Sequence, residues 1–138
     1  MAITPGQPRA TKVNSLTRGC PTSDVNKMAL YANTSTLAPP SATVYNTTGE
    51  VSGTGYTAGG ITLSGASISQ TTTGAALTFS DAVFVNVTLT GVTGCAIYNT
   101  SKSNEIVGLY SFASQSPTAQ NLTIDVPVAG DTAVVRID

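Results

Sequence analysis

The sequence contains no histidine and no tryptophan, and charged residues make up only 9% of its 138 positions. The missing histidine removes the side chain most used near neutral pH as a general base, a triad base or a metal ligand. The two cysteines, Cys20 and Cys95, therefore have no imidazole to activate them as nucleophiles. Seven carboxylates remain, but they are scattered singly and form no Asp-x-Asp-x-Asp run of the kind that opens a calcium loop. A glycosidase needs only two carboxylates. Such enzymes usually also line the cleft with aromatic side chains, and here there are only five Tyr and three Phe. We expect a protein that is not an enzyme, with no cofactor and no resident metal.

Other absences narrow the partners. With a net charge of −1 and an isoelectric point near 5.1, no global basic field exists to hold nucleic acid. No apolar run approaches the about 20 residues of a membrane-spanning helix, so no membrane partner is expected. The opening Met-Ala-Ile-Thr-Pro-Gly lacks the positive region and apolar stretch of a secretion signal. Cys20 closes a polar segment and Cys95 sits in the apolar run Gly94-Cys-Ala-Ile-Tyr98. We read them as two free thiols, with Cys95 a small buried hydrophobe.

In place of charge, serine and threonine fill about a quarter of the chain, and hydrophobic residues make up 41%. The length is that of one domain, large enough to bury a core without staples. Threonine is β-branched and neutral, so it suits a pleated, half-exposed strand. A threonine-rich face also docks against another surface without desolvating many charges, and charge is depleted at the centre of protein interfaces. The composition suits a subunit that works inside an assembly. What charge there is lies unevenly: Arg9, Lys12 and Arg18 fall in the first twenty residues with no acid among them. These three are the candidate contact residues of a basic arm that docks on an acidic neighbour.

Residues 1–26 are punctuated by Pro5, Gly6, Pro8, Gly19 and Pro21 and sustain no period, so we expect an extended N-terminal arm. Residues 27–138 then form the domain. Lys27 to Ala32 leans towards a strand, and Ala42 to Thr47 suggests another. The stretch Gly49 to Gly60 carries five glycines and the acid Glu50. A dinucleotide loop would need a helix directly after it, and a phosphate-binding P-loop would need a lysine. An apparent strand at Ile61 to Leu63 follows instead, so we read a structured loop that needs positive φ and close backbone approach.

From Ile61 onward, alternating runs recur at Ala66 to Gln70, Ala75 to Phe79, Val83 to Leu89, Cys95 to Asn99, Ile106 to Phe112, Leu122 to Val126 and Ala133 to Ile137. Turn residues separate them, at Thr73-Gly74, Ser80-Asp81, Gly91, Ser101 to Asn104, Ser114 to Pro117 and Gly130-Asp131. About eight strands at such spacing, with no convincing helix, predict an all-β fold: a two-sheet antiparallel sandwich, jelly-roll-like. The expected core is Leu77, Phe79, Val83, Val85, Val87, Ile97, Ile106, Leu109, Leu122, Ile124, Val126, Val135 and Ile137. A low-charge sandwich with long edges must hide or pair them. A homodimer is the commonest symmetric solution and is the expected self-association.

Several stretches resemble a group of small tailed-phage virion proteins: Met28-Ala-Leu-Tyr31, the glycine-rich block from Tyr45 to Gly60, Ala82 to Thr90, Ile97-Tyr98-Asn99, and Leu122 to Pro127 with the close at Ile137. The glycine-rich block is the specific part. Most of residues 28–138 is covered, and the family resembled is the capsid cement (decoration) proteins of short-tailed Bordetella-type phages. The resemblance implies a jelly roll that pairs into dimers over the capsid shell, made in the host cytoplasm and located on the capsid exterior of the virion. Its partner would be the major capsid protein, whose subunit contacts it would stabilise. The alternative within the same setting is a receptor- or carbohydrate-binding β-module of a tail fibre. The absence of tryptophan argues against that alternative, since sugar rings are commonly held by exposed aromatics.

Overall fold

The structure is a computed structural model. It describes residues 21–32, 44–72 and 74–126, the backbone of 135–137, and the single positions Thr17 and Gly19. The candidate contact residues Arg9, Lys12 and Arg18 lie outside the described residues, as do Cys20, most of the expected arm and the turn at Gly130-Asp131.

The fold is all-β and antiparallel. The described strands are β1 (Asn26–Tyr31), β2 (Ile61–Thr62), β3 (Ser67–Gln70), β4 (Ala75–Thr78), β5 (Ala82–Val87), β6 (Val92–Asn99), β7 (Glu105–Gln115), β8 (Gln120–Ile124) and β9 (Val135–Ile137), with one short 3-10 turn at Thr100–Lys102. They pair as a four-stranded sheet in the order β2-β1-β6-β7, a three-stranded sheet β3-β4-β9 and a two-stranded ribbon β5-β8. The three pieces share one core. Met28 and Leu30 of β1, Ala75 and Leu77 of β4, Ala82, Phe84 and Val87 of β5, Val92, Cys95 and Ile97 of β6, and Leu122 of β8 pack together in it.

Strand β1 shows why its sequence was ambiguous. Its residues Met28 to Tyr31 are all buried, as are Gly94 to Asn99 of β6 beside it. Met28, Leu30, Cys95 and Ile97 face the main core, while Ala29, Tyr31, Ala96 and Tyr98 form a second cluster with Tyr45, Ile106 and Leu109. A strand covered on both faces loses the apolar/polar alternation that identifies a half-buried one. The expected strand at Ala42 to Thr47 is not formed over its described part: Val44 makes an isolated bridge to Glu105, and Tyr45 N–H donates to the Asn104 carbonyl.

The expected core needs one correction of phase. Val83 and Val85 are 40% and 66% exposed, whereas Ala82 and Phe84 are buried. Further along the same run Val87 is buried as expected, and Leu89 is buried with it. The switch occurs at Asn86, which has φ +49° and marks a register shift against β8 between Phe84 and Val87. A bulge of this kind inserts one residue and moves the following side chains to the opposite face. Burying Phe84, whose ring centroid lies 5.9 Å from that of Tyr56, removes more apolar area than burying a valine would. Of the other expected core residues, Leu77, Phe79, Ile97, Leu122 and Val126 are buried, and Ile124 is partly buried. Ile106 and Leu109 are partly buried on the opposite face of the sheet. The side chains of Val135 and Ile137 lie outside the described residues.

This phase has a direct test by urea denaturation. Phe84→Leu is expected to destabilise by about 1–2 kcal/mol, while Val85→Thr should stay within about 0.5 kcal/mol of the parent. The reverse ranking would place Val85 inside.

Candidate functional site

The glycine-rich block becomes an ordered loop that crosses the β1 end of the four-stranded sheet. It is tied down at Glu50, which bridges Tyr31, and at Thr54, which bridges Thr88. Val51 N–H donates to the Leu30 carbonyl and Ala32 N–H to the Gly49 carbonyl. Its glycines do what the sequence predicts. Gly49, Gly55, Gly59 and Gly60 have φ between +76° and +95°, and a Cβ at Gly53 would overlap the Thr88 carbonyl oxygen.

Inside the loop stands a tyrosine–carboxylate network. Glu50 Oε2 accepts from the Tyr45 hydroxyl at 2.6 Å. Glu50 Oε1 accepts from the Tyr56 hydroxyl at 2.7 Å and from Gly59 N–H at 2.7 Å. The Tyr56 oxygen in turn accepts from Leu30 N–H of β1 at 3.0 Å. Tyr98 of β6 donates to the Gly59 carbonyl at 2.6 Å and stacks on Tyr45 with ring centroids 4.5 Å apart. Tyr31 donates to the Asn46 carbonyl at 2.7 Å. Four of the five tyrosines therefore join the loop to β1 and β6. The sequence signal for this was the isolated acid in a glycine run with tyrosines on both sides, but its partners are set by sheet register, where Lys27 pairs with Tyr98 and Tyr31 with Gly94.

The arrangement decides what the loop can do chemically. In a phosphate cradle, successive backbone N–H groups point at an anion. Here Gly59 N–H points at the chain's own carboxylate, so the anion position is filled from within. Glu50 accepts three hydrogen bonds and acts as a structural hub. Among the described residues, no group of three or more His, Cys, Asp or Glu side chains lies together.

The electrostatics follow from burial. Desolvation, then the negative charge of Glu50, raises the tyrosines Tyr31 and Tyr98 above their ordinary range. Tyr45 and Tyr56 are raised by desolvation first and then by donating to the Glu50 carboxylate. Tyr110 on β7 is pushed up to about 12 by burial. The Cys95 thiol, free and buried, is also pushed up to about 12 by burial, which leaves it inert as a nucleophile at neutral pH.

All five tyrosines are thus neutral in the folded state beyond the pH at which an exposed tyrosine ionises. A group whose folded pKa is raised contributes stability that is complete below its unfolded pKa and is lost as pH rises towards the folded value. Stability should therefore hold up to about pH 10 and fall steadily above it. Absorbance at the phenolate band, scanned with pH, is expected to show no fraction titrating at the ordinary value. Tyrosine ionisation should coincide with loss of the circular-dichroism signal. Two or more tyrosines titrating near the ordinary value in a still-folded protein would contradict the network.

Two further surfaces stand out. The outer face of the β5–β8 ribbon presents Val83 and Val85, with Val83 paired to Thr123, and neither strand contains a charged residue. An open groove of about 340 Å³ lies between β7 and β8, lined by Phe112, Gln115, Leu122, Thr123, Ile124 and Asp125. Sequence reading missed the first because it placed Val83 and Val85 in the core. It missed the second because strand order is not written in the alternation pattern.

No family model, no curated protein and no solved structure matches the chain. Among the described residues, no helix is long and apolar enough to cross a membrane.

Proposed function

We propose that this chain is a structural virion protein that binds the outside of a phage capsid and stabilises contacts between major capsid subunits. The observation that carries the reading is the uncharged outer face of the β5–β8 ribbon. Its exposed Val83 and Val85 both lie on β5, and neither β5 nor its partner β8 contains a charged residue. Such a face docks on a protein lattice at little desolvation cost. The order of pairing supports the finer fold reading. β6 pairs β7, β5 pairs β8 and β4 pairs β9, the nested order expected when a long antiparallel ribbon is rolled into a jelly-roll sandwich. Two departures are that β1, and not β9, lies beside β6, and that β3 pairs β4 within one sheet.

The basic residues Arg9, Lys12 and Arg18 belong to the same proposal as contacts to carboxylates on the shell. Each exposed pair would contribute only about 0–1 kcal/mol, so these charges orient docking more than they hold it. The tail-fibre alternative has less support, because four of the five tyrosines are bonded within the Glu50 network and are not displayed as a sugar platform.

The test is decoration of purified shells that lack this chain. The parent protein should bind with a copy number that scales with the capsid lattice. Val83→Lys/Val85→Lys should weaken binding by about tenfold or more, a loss of about 1.4 kcal/mol, with an unchanged circular-dichroism spectrum. A copy number that scales with tail fibres, or glycan binding without shell binding, would favour the alternative. Deleting residues 2–20 should leave a folded domain that binds shells more weakly.

A further inference from the structure

The β5–β8 ribbon is uncharged along both strands, but its outer face ends in two carboxylates. The ribbon is antiparallel, with Ala82 opposite Ile124 and Val83 opposite Thr123. Asp81 immediately precedes β5 and Asp125 immediately follows β8, so the two acids meet at one end of the ribbon. Both are exposed. Val126 N–H donates to Asp81 Oδ1 at 2.8 Å, which holds that carboxylate against the Asp125–Val126 peptide. Alternation puts Asp81 on the side of Val83 and Asp125 on the side of Thr123, so the acids continue the same outer face. At its other end, past the exposed Val83 and Val85, stand the exposed Asn86 and Asn121, joined by a 2.9 Å bond from Asn86 N–H to Asn121 Oδ1. The face runs from an acidic end, through an apolar middle, to an amide end.

Among the described residues the acidic end has no counter-charge. Lys102 Nζ lies 3.9 Å from Asp24 Oδ2, and Lys27 Nζ stands beside Gly59. Asp81 has a local use in its bond to Val126 N–H. Asp125 has no such bond among the described residues, and its charge faces that of Asp81. Like charges on facing residues destabilise an antiparallel pair. A charge that disfavours the free fold is accounted for by what it meets in a complex.

We propose that this face fits a protein surface on which an apolar patch is bordered by a lysine or arginine, with the cation seated between Asp81 and Asp125 and the patch over Val83 and Val85. The inference rests on the capsid reading and deepens it, since it gives the chemistry of the shell surface that takes the ribbon and the direction in which the ribbon lies there. Charge complementarity selects the occupant. Two carboxylates repel phosphates, which excludes nucleic acid and anionic lipid at this face. A purely apolar partner would leave both carboxylates desolvated and unpaired. A purely basic one would leave the valines without an apolar neighbour. A surface that joins a cation to an apolar patch satisfies both parts. An apolar centre with a polar rim is also the usual anatomy of a protein–protein interface. In such an interface the rim charges set the rate and orientation of docking, and the buried centre sets the lifetime of the complex.

The experiment follows association of the full chain with immobilised shells that lack it, at about 0.1 M and about 1 M salt, where the screening length is about 10 Å and about 3 Å. Asp81→Asn/Asp125→Asn keeps an oxygen to accept from Val126 N–H. It is expected to lower the association rate about fivefold or more at the lower salt, with little change in the dissociation rate, and to match the parent at the higher salt. Glu105→Gln removes an exposed acid on β7, outside this face, and should leave both rates unchanged. Asp125→Asn alone should not lower the urea midpoint of the free chain, a readout that a structural role for this acid would move. A double variant that associates as the parent does, an equal loss in Glu105→Gln, or a lowered midpoint in Asp125→Asn would each overturn the proposal and leave the capsid reading standing. A parent protein that does not bind shells at all would remove the capsid reading and this inference with it.

Discussion

Gly60→Ala is expected to leave no folded protein under conditions where the parent is stable. Gly60 has φ +76°, a region in which an L side chain is strained. That strain alone would amount to about 1–2 kcal/mol. The larger effect is spatial: a Cβ there would overlap the Met28 carbonyl oxygen and sit 2.6 Å from the Met28 carbonyl carbon and 2.8 Å from Ala29 Cα. All three are backbone atoms in the middle of β1, so no rotamer change relieves the overlap. Either β1 or the loop must move, and both are anchored. Gly60 N–H donates to the Thr57 carbonyl, and the next residue pairs with Met28 to set the β1–β2 register. Displacing β1 also disturbs both apolar clusters, since Met28, Leu30, Ala29 and Tyr31 lie in them. We expect a loss above about 5 kcal/mol, comparable to the total stability of many domains of this size.

Gly91→Ala is the control for that expectation. Gly91 has φ +66°, close to that of Gly60, but nothing lies within 4 Å of its would-be Cβ. It should show the backbone strain by itself, about 1–2 kcal/mol. Urea midpoints measured on the three proteins separate the two effects. If Gly60→Ala and Gly91→Ala fall by the same amount, the close approach of the loop to β1 is wrong.

The contrast between these two glycines also marks how far the sequence could be read. The five glycines between Gly49 and Gly60 announced a loop with unusual backbone, and the following strand excluded a nucleotide motif, because these are local properties of the chain. Which glycine is sterically locked depends on what passes beside it. Gly60 runs against β1, more than thirty residues earlier in the chain, and no local pattern encodes that approach. The same limit explains the error of phase in β5. Period-two alternation was visible from Val83 to Leu89, but the run allows two registers, valines inward or Ala82 and Phe84 inward. The choice fell to the larger ring and to a bulge at Asn86, a residue type that tolerates positive φ. β1 was hard to assign for the opposite reason: burial on both faces erased its alternation.

For the candidate surfaces the same reasoning applies. Low charge and abundant threonine predicted neutral faces but not their places, which follow from strand order. Only the pairing of β5 with β8 shows where a neutral face is left. Arg9, Lys12 and Arg18 could be named from charge distribution alone, since a cluster of like charge needs no tertiary information.

Glu50 carries the second large effect. Glu50→Ala is expected to destabilise the protein by about 3–5 kcal/mol, because it removes the common acceptor of three hydrogen bonds and leaves their donors behind. Those donors are the Tyr45 hydroxyl, the Tyr56 hydroxyl and Gly59 N–H, all part-buried. The Tyr56 oxygen also receives Leu30 N–H, so a rotated Tyr56 would release a donor of β1 as well. Glu50→Gln separates charge from shape. Its remaining carbonyl oxygen can still accept from Tyr56 and Gly59, but its amide cannot accept from Tyr45, and the expected loss is about 1–2 kcal/mol. A double-mutant cycle with Tyr45→Phe isolates the severed bond. In the Gln background, Tyr45→Phe should lose most of its effect, whereas in the parent it removes a charge-assisted bond. The phenolate titration provides a second readout. Without the negative charge of Glu50, ionisation of Tyr45 and Tyr56 should begin at lower pH than in the parent, in the direction set by removing a like-charge neighbour. Loss of less than about 1 kcal/mol in Glu50→Ala, together with an unchanged tyrosine titration, would mean that the loop is held by its glycines and backbone bonds alone.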